Sequence, residues 1–219
     1  MQRRLGQHFE FQAAQRLAQN RLEEECAQSG GKKWFMKTDK ADQSKTKLPT
    51  VWSQLATSFF KEGDRIVTGI IGSMWHGLLG MTHHVRTVFE DCSHGSEMQC
   101  SHILLNLHEA VVAEGHLPEV FYIGADNTPK ETKNGIVCLF VVWLLCVLHK
   151  TPLVEIHMVF LMVGHTHDAL DRFFSRFMTA LAGHDYWTID EMMALAQDGL
   201  QHCTLKHSHL AQIWHTLLY

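Results

Sequence analysis

The spacing of hydrophobic and polar positions along the chain predicts an ordered series of helices and strands. Apolar residues recur every three or four positions, as on one face of a helix, over residues 96–114 and 168–182. Residues 5–26 are rich in Gln, Ala, Leu, Arg and Glu and are followed by Gly30 and Gly31, which predicts a leading helix, and Thr188 is expected to start a helix that extends to about residue 202. β-branched or continuous apolar runs predict strands over residues 33–39, 65–71, 83–89, 120–125 and 154–163. The long connection over residues 40–64 is expected to contain a helical turn or two. The tail from residue 205 shows no clear period.

Glycine, serine and asparagine mark the ends of several of these elements. Ser96 is expected to cap the helix that follows it, and Gly115 to end that helix. Asn134 is expected to cap the apolar run over residues 136–148, which predicts a helix buried on most sides. Gly72, Gly77 and Gly80 separate two β-branched runs, so an antiparallel hairpin with a long turn is expected there.

After the first helix, the element order is β-β-β-α-β-α-β-α. This order predicts an α/β protein with a ribonuclease-H-like fold, in which a mixed five-stranded sheet combines an antiparallel meander with parallel strands and helical crossovers. The expected organisation is an N-terminal helix (residues 1–31), a ribonuclease-H-like core (32–184) and a C-terminal helical extension (185–219). A chain of 219 residues with 46% hydrophobic content is large enough for one sizeable core.

Composition narrows the range of partners. The formal charge is -4, with 19 Lys and Arg residues, so any nucleic-acid contact must be local rather than made by bulk charge. The six cysteines form no CxxC pair, which argues against a zinc knuckle or a dithiol redox motif. The most apolar stretch is shorter than the roughly 20 residues of a membrane span, and no secretory signal is visible. A protein that is neither secreted nor inserted in a membrane is therefore expected.

Two aspartates end the predicted first and fourth strands, which are central neighbours in a ribonuclease-H-like sheet. Asp39 and Asp126 would then lie side by side at the carboxyl edge, where catalytic groups of open α/β sheets collect. Two close carboxylates favour a bound Mg²⁺ or Mn²⁺, and a two-metal site is conceivable. Asp168 and Asp171, three residues apart, are both candidates for the remaining ligand. Asp171 is preferred because Asp168 also suits a helix N-cap.

Histidine and basic residues near this edge are further candidates. His165 would serve as an acid or base and His167 as a ligand, although both also suit a tight strand-to-helix turn. Solvated helix faces explain the basic residues almost as well as nucleic-acid binding does. The candidate nucleic-acid contacts are Lys130, Lys133, Asn134, Arg172 and Arg176.

Three stretches, KTDKADQSKTKLP, GADNTPKETKNG and FLMVGHTHDALDRFFSRF, resemble a transposon-derived domain family of unknown function with an integrase-like core. The resemblance covers roughly residues 37–198 and implies a transposase or nuclease ancestry. From that ancestry a nuclear location is expected, with the cytoplasm as the alternative. The chain departs from the family pattern at Asp168 and Ala169, where two consecutive acids are usual, and at Thr132, where Asn is preferred. By this resemblance the motif positions are Asp39, Asp126, Asn127, Lys133, Asn134, His165, His167 and Asp171.

Three functions remain open. The first is a transposase- or integrase-like phosphoryl-transfer core, active or vestigial, with DNA as its expected partner. The second is a catalytically inactive, domesticated module that binds nucleic acid or protein. The third is a metallophosphoesterase, because GHTH also occurs as a metal-binding element there, but the DxH and GNH elements of that class are missing from the sequence. The sequence leaves the oligomeric state open.

Overall fold

The computed structural model describes residues 2–41, 46–52, 65–78, 83–89, 95–126, 132–160, 169–200 and 204–207. The helices are α1 (Gln2–Gln28), α2 (Ser96–Glu114), α3 (Gly135–Val147), α4 (Ala169–Leu181) and α5 (Ile189–Gly199). The strands are β1 (Lys33–Lys40), β2 (Lys47–Leu48), β3 (Ile66–His76), β4 (His83–Phe89), β5 (Val120–Ala125), β6 (Glu155–Phe160) and β7 (Thr204–His207). The predicted mixed α/β architecture is confirmed.

Five long strands form a mixed sheet in the order β6-β5-β1-β3-β4. β1 pairs with β3, and β3 with β4, in antiparallel fashion, whereas β1, β5 and β6 are mutually parallel. Two short strands extend this sheet: β2 pairs antiparallel with β3, and β7 pairs parallel with β4. The first and fourth long strands, β1 and β5, are therefore neighbours at its centre.

Helices cover both faces of the sheet. On the face that we call the crossover face, α2 and α3 pack against Trp34 and Met36 of β1 and Phe121 of β5. On the opposite face, which we call the α4 face, α4 and α5 pack against Ile70 and Met74 of β3. β1 contributes to both faces because successive side chains of a strand point in opposite directions.

Several predicted boundaries are confirmed. The strand predicted over residues 120–125 has those bounds, and α2 ends at Gly115, which adopts a left-handed conformation with φ of 76°. Asn134 caps α3, because its side chain accepts hydrogen bonds from the backbone N–H groups of Ile136 and Val137. Thr188 and Glu191 form a reciprocal capping box at the start of α5.

Two predicted boundaries are wrong. Gly72 lies inside β3, which runs on to His76, so it belongs to the strand and not to the turn of the hairpin. Gly95 is the N-cap of α2, and Ser96 is the first helical residue. The Ser96 hydroxyl instead accepts a hydrogen bond of 2.6 Å from Nδ2 of Asn134, so it links the starts of α2 and α3.

The prediction that the apolar third helix is buried on most sides is also wrong. Val137, Phe140, Val141 and Leu144 of α3 are buried, while much of the rest of the helix faces solvent. Only one side of α3 lies against the sheet and α2. The helix is therefore only partly buried although it is apolar on every side. Across the described ranges, none of the helices is both long and apolar enough to cross a membrane.

The described part of the segment after residue 185 is packed against the sheet. Met192 and Ala196 of α5 belong to the same buried cluster as Phe177 of α4. The tail, which shows no clear sequence period, contains β7, and His84 of β4 lies opposite Thr204 of β7. This region therefore adds a strand to the sheet as well as a helix to its α4 face.

Candidate functional site

Asp39 and Asp126 occupy matching positions on the two central strands. Parallel pairing runs from Lys33 opposite Val120 to Lys37 opposite Gly124 with a constant offset. Continued by two residues, this register aligns Asp39, near the end of β1, with Asp126, which directly follows β5. Because neighbouring strands are about 4.8 Å apart, the two backbones are close at this point. The predicted carboxylate pair is thus placed at the carboxyl edge of the sheet.

Asp39 lies on the α4 face of the sheet. Its cross-strand partner is Gly72, and a Cβ atom added to Gly72 would meet the Phe174 ring of α4 at 2.9 Å. Directly opposite residues of antiparallel strands project to the same face, so the Asp39 side chain projects toward the side that α4 covers.

The register assigns Asp126 to the same face. A Cβ atom added to Gly124 would meet the Phe35 ring at 2.8 Å. Phe35 lies four residues before Asp39 and therefore on the same face of β1. The alternation continued from Gly124 to Asp126 gives that same side. Both carboxylates are accessible, since Asp39 is half-buried and Asp126 exposed.

Local hydrogen bonds fix the backbone around both aspartates. Oδ1 of Asp39 accepts a hydrogen bond of 2.8 Å from the backbone N–H of Lys40. The backbone carbonyl of Asp126 accepts a hydrogen bond from the hydroxyl of Thr132. Thr132 is buried, and this contact joins Asp126, at the end of β5, to the residues that directly precede α3. A threonine at this departure from the family pattern therefore has a structural role.

The first turn of α4 lies close to Asp39. Leu170 approaches the Cβ position of Gly72 at 3.1 Å, and Gly72 is the residue opposite Asp39. Asp171, next in the chain, is half-buried in this same turn. The candidate third carboxylate therefore belongs to the element that covers the Asp39 end of the sheet. The predicted site residues His165, His167 and Asp168 lie outside the described residues.

Lys133 and Asn134 lie at the same edge but toward the crossover face. The ammonium nitrogen of Lys133 is 5.7 Å from the ring centroid of Phe160, and Phe160 is opposite Ala125 at the end of β5. Lys133 is exposed, so its charge faces solvent beside the strand end that precedes Asp126. Lys130 and Asn127 lie outside the described residues.

Arg172 and Arg176 are one helical turn apart on α4 and both are exposed. Leu170, Phe174 and Phe177 of the same helix are buried toward the sheet. Helical geometry places the two arginines on the opposite side of α4, away from the aspartates. The structure therefore separates these two cations from the carboxylate pair.

A buried polar network next to the aspartates is not evident from the sequence. Nε2 of Gln99 donates to Oγ1 of Thr38 at 3.3 Å, and Oγ of Ser73 donates to Oδ1 of Asn106 at 2.8 Å. Thr38, which precedes Asp39, and Ser73, which follows Gly72, are cross-strand partners. The spacing of the polar residues Gln99, His102 and Asn106 on one side of α2 is the signal that would have revealed this contact.

The side chains at this edge of the sheet provide only part of the ligand set that a divalent cation needs. Two in-register carboxylates offer oxygen ligands of the kind that Mg²⁺ and Mn²⁺ prefer. Within the described ranges, however, no group of three or more His, Cys, Asp or Glu side chains is arranged to hold a metal ion. A third ligand is therefore not assembled by the described residues.

Comparison with known proteins gives one match. The model of a family described as a domain of unknown function (DUF7869) matches residues 60–217, which include Asp126 and Asp171 but not Asp39. No curated protein and no solved structure matches the chain. Because the match spans well over half of the sequence and takes in the sheet from β3 to β7, the chain belongs to the DUF7869 family.

Proposed function

We propose that this chain is a transposase- or integrase-like core that transfers phosphoryl groups in nucleic acid, built on a ribonuclease-H-like fold. The order of the five long strands supports the fold proposal. β1 and β5 are neighbours at the centre of the sheet. β1, β3 and β4 form an antiparallel meander on one side, and β5 and β6 lie on the other side, with α2 and α3 as crossover helices on one face. Descent from a transposon is part of the same proposal.

The observation that supports the chemistry most directly is the alignment of Asp39 with Asp126. Two carboxylates on neighbouring strands that project to the same face repel each other, and a divalent cation would stabilise both in ionised form. When bound, Mg²⁺ or Mn²⁺ would act as a Lewis acid toward a phosphodiester and lower the pKa of a bound water. Asp39 and Asp126 would hold it, with Asp171 as the preferred third ligand.

The residues around the pair would position the substrate. Lys133, exposed beside the end of β5, would neutralise one phosphate of a nucleic-acid strand. Thr132 and Asn134 would hold Asp126 in a fixed position relative to α3, through the hydrogen bond to the Asp126 carbonyl and the cap of α3. Because the formal charge of the chain is -4, this binding would be local, and neutralisation of about one phosphate would give only a shallow dependence on salt.

A second candidate function is a catalytically inactive module that retains the fold. It is favoured by the lack of a three-ligand group among the described side chains and by Ala169 at a position where the family pattern has an acid. In that case the carboxyl edge would serve for binding rather than cleavage. Metal affinity separates the two candidates.

Calorimetric titration with Mn²⁺ tests the proposal. We expect binding by the wild type and by Asp198→Asn, an exposed aspartate on α5, and a loss of at least tenfold in affinity for Asp39→Asn and Asp126→Asn. Asp171→Asn then tests the third ligand, and cleavage of labelled DNA in Mn²⁺ tests the reaction. A folded wild type that binds no Mn²⁺ would exclude the catalytic function and favour the inactive module.

A further inference from the structure

α1 runs antiparallel to β1 on the α4 face of the sheet. Near the C-terminal end of the helix, Glu25 forms an ion pair with Lys33 at the start of the strand. Glu23, two residues earlier in the helix, pairs with Lys37, four residues further along the strand. Lys37 lies two residues before Asp39 and therefore on the same face of β1. The part of α1 that precedes Glu23 thus extends toward the carboxyl edge of the sheet, where Asp39 lies.

The ion pair of Glu23 and Lys37 shows which residues of α1 reach that edge. Gln19 is four residues before Glu23, which is about 6 Å back along the helix axis. Asp39 is two residues after Lys37, which is about 7 Å along the strand. Gln19 is therefore at the level of Asp39, and residues 2–18 of the helix continue for about 25 Å past that level. We call residues 2–18 the α1 arm.

The charge of the α1 arm is opposite to that of the whole chain. The arm contains three arginines and one acid, which gives +2 in a chain of formal charge -4. The arginines are Arg3, Arg4 and Arg16, and the acid is Glu10. Cations near a helix N-terminus oppose the helix dipole, so helix stability does not explain this distribution. Arg16 is exposed and forms no ion pair with the described residues.

The side of α1 that turns toward the sheet becomes polar as the helix approaches the carboxyl edge. Gln19 is buried, and its Nε2 donates to Oε1 of Glu23 at 2.9 Å. One turn earlier, Gln15 is half-buried, and its Oε1 is shielded from water without a hydrogen-bond partner among the described residues. A helix side that served only to pack on a sheet would be apolar. Side-chain amides instead donate to phosphate oxygens and accept from base amino groups.

We propose that the α1 arm binds the backbone of the nucleic-acid strand on which the carboxylate pair would act. Arg16 lies about 60° around the helix from the buried Gln19, so it borders the side that faces the sheet edge and would neutralise one phosphate there. Gln15 would hydrogen-bond to the same strand. This inference rests on the proposed nucleic-acid chemistry, and it supplies positive charge at the carboxyl edge, since the exposed arginines of α4 lie away from the aspartates.

Fluorescence anisotropy with a short labelled DNA duplex tests the arm. All variants are made in a full-length chain with Asp39→Asn and Asp126→Asn and are measured in EDTA, so binding depends on no metal and the edge no longer repels phosphate. We expect Arg16→Gln to weaken binding by roughly fivefold to tenfold at about 0.1 M salt. The slope of log affinity against log salt should become shallower by about 0.9, the contribution of one phosphate contact.

Arg21→Gln is the matched control for Arg16→Gln. It removes the same charge from an exposed position on the same helix, but Arg21 lies about 160° around the helix from Gln19 and faces away from the sheet. Affinity and slope should equal those of the parent chain. Gln15→Ala separates hydrogen bonding from charge, because a neutral amide releases no counterion. It should lose about threefold in affinity with no change in slope.

Three outcomes would overturn the proposal, provided that circular dichroism shows every variant to be folded. The first is a parent chain that binds no DNA, and the second is unchanged affinity in Arg16→Gln. The third is an equal loss in Arg16→Gln and Arg21→Gln, which would indicate a general effect of charge and no contact on one side of the helix. Binding of Mn²⁺ by the wild type is measured separately, so failure of the arm is distinguishable from failure of the proposed catalytic function.

Discussion

Gly72 lies directly opposite Asp39 in the sheet, and the Phe174 ring of α4 fills the space where a side chain at Gly72 would be. An added Cβ would approach this ring at 2.9 Å and Cδ2 of Leu170 at 3.1 Å, closer than ordinary van der Waals contact. The packing of the first turn of α4 therefore depends on a glycine in the middle of a strand. This contact sets the distance between Asp39 and the turn that contains Asp171.

Gly72→Ala is expected to destabilise the protein by about 1–3 kcal/mol, because a methyl group would overpack the contact between β3 and α4. Urea unfolding measures the change. Gly135→Ala is the matched control: no atom lies within 4 Å of its Cβ position, and its backbone is helical, so stability should stay the same or rise slightly. Equal stability of the two variants would show that α4 tolerates displacement.

Lys37 and Glu23 form an ion pair that links β1 to α1. The side chains are only 6% and 20% exposed, so removal of one partner leaves the other charge largely shielded from water. Glu23→Ala is expected to lower the free energy of unfolding by about 3 kcal/mol, measured by urea denaturation. Glu24→Ala, at an exposed position, should change it by less than about 0.5 kcal/mol. The double variant Lys37→Met, Glu23→Leu should regain much of the loss.

Asn134 uses both ends of its side-chain amide. Its oxygen caps α3, and its nitrogen donates to Ser96 at the start of α2. Asn134→Ala is expected to cost about 1–2 kcal/mol, whereas Asn134→Asp keeps the cap and loses only the donor. Thermal unfolding of both, beside Ser96→Ala, separates the two contributions. If Asn134→Ala were no worse than Ser96→Ala, the cap would contribute nothing measurable.

The four cysteines within the described residues divide into two classes of reactivity. Burial, with a smaller effect of Glu25, raises the pKa of the Cys26 thiol from 9.0 to about 12, and burial raises the pKa of Cys100 from 9.0 to about 12. At pH 8 both thiols are protonated in the folded protein and should react far more slowly with a thiol reagent than exposed Cys138 and Cys146. Mass spectrometry after timed labelling identifies the modified residues.

The same shifts predict how stability depends on pH. Below pH 9, Cys26 and Cys100 are protonated in both the folded and the unfolded chain, so they add no pH dependence. As the pH rises from 9 toward 12, the unfolded chain loses these protons and the folded chain keeps them, so stability falls. Urea unfolding at pH 8 and pH 10 should show a smaller loss for Cys100→Ala than for the wild type.

Elements defined by local chemistry were predictable from the sequence. The continuous apolar run of β5, the Asn134 cap and the stop at Gly115 each depend on residues within a few positions of one another. The element order that predicts Asp39 and Asp126 as neighbours follows from the same local patterns, and the strand register places them together.

Features that depend on tertiary packing were not predictable. Glycine is common in turns, so the sequence favours a turn at Gly72. Only the packing of the Phe174 ring explains why a glycine lies within β3. The apolar sequence of α3 does not state how much of the helix its neighbours cover. The ion pair between Lys37 and Glu23 is not evident from the sequence, because the two residues belong to different elements, β1 and α1. The position of Asp171 near Asp39 depends on the same packing of α4.

The pairing of β4 with β7 makes completion of the sheet a late event in synthesis. Thr204 lies opposite His84, which leaves the ribosome 120 residues earlier in translation. Until β7 emerges, that edge of β4 has unpaired backbone N–H and C=O groups, which can pair with strands of other nascent chains. Closing so long a loop is slow compared with forming the helices. Ribosome-bound chains that stop before Thr204 should therefore depend more on chaperones than chains that extend beyond His207.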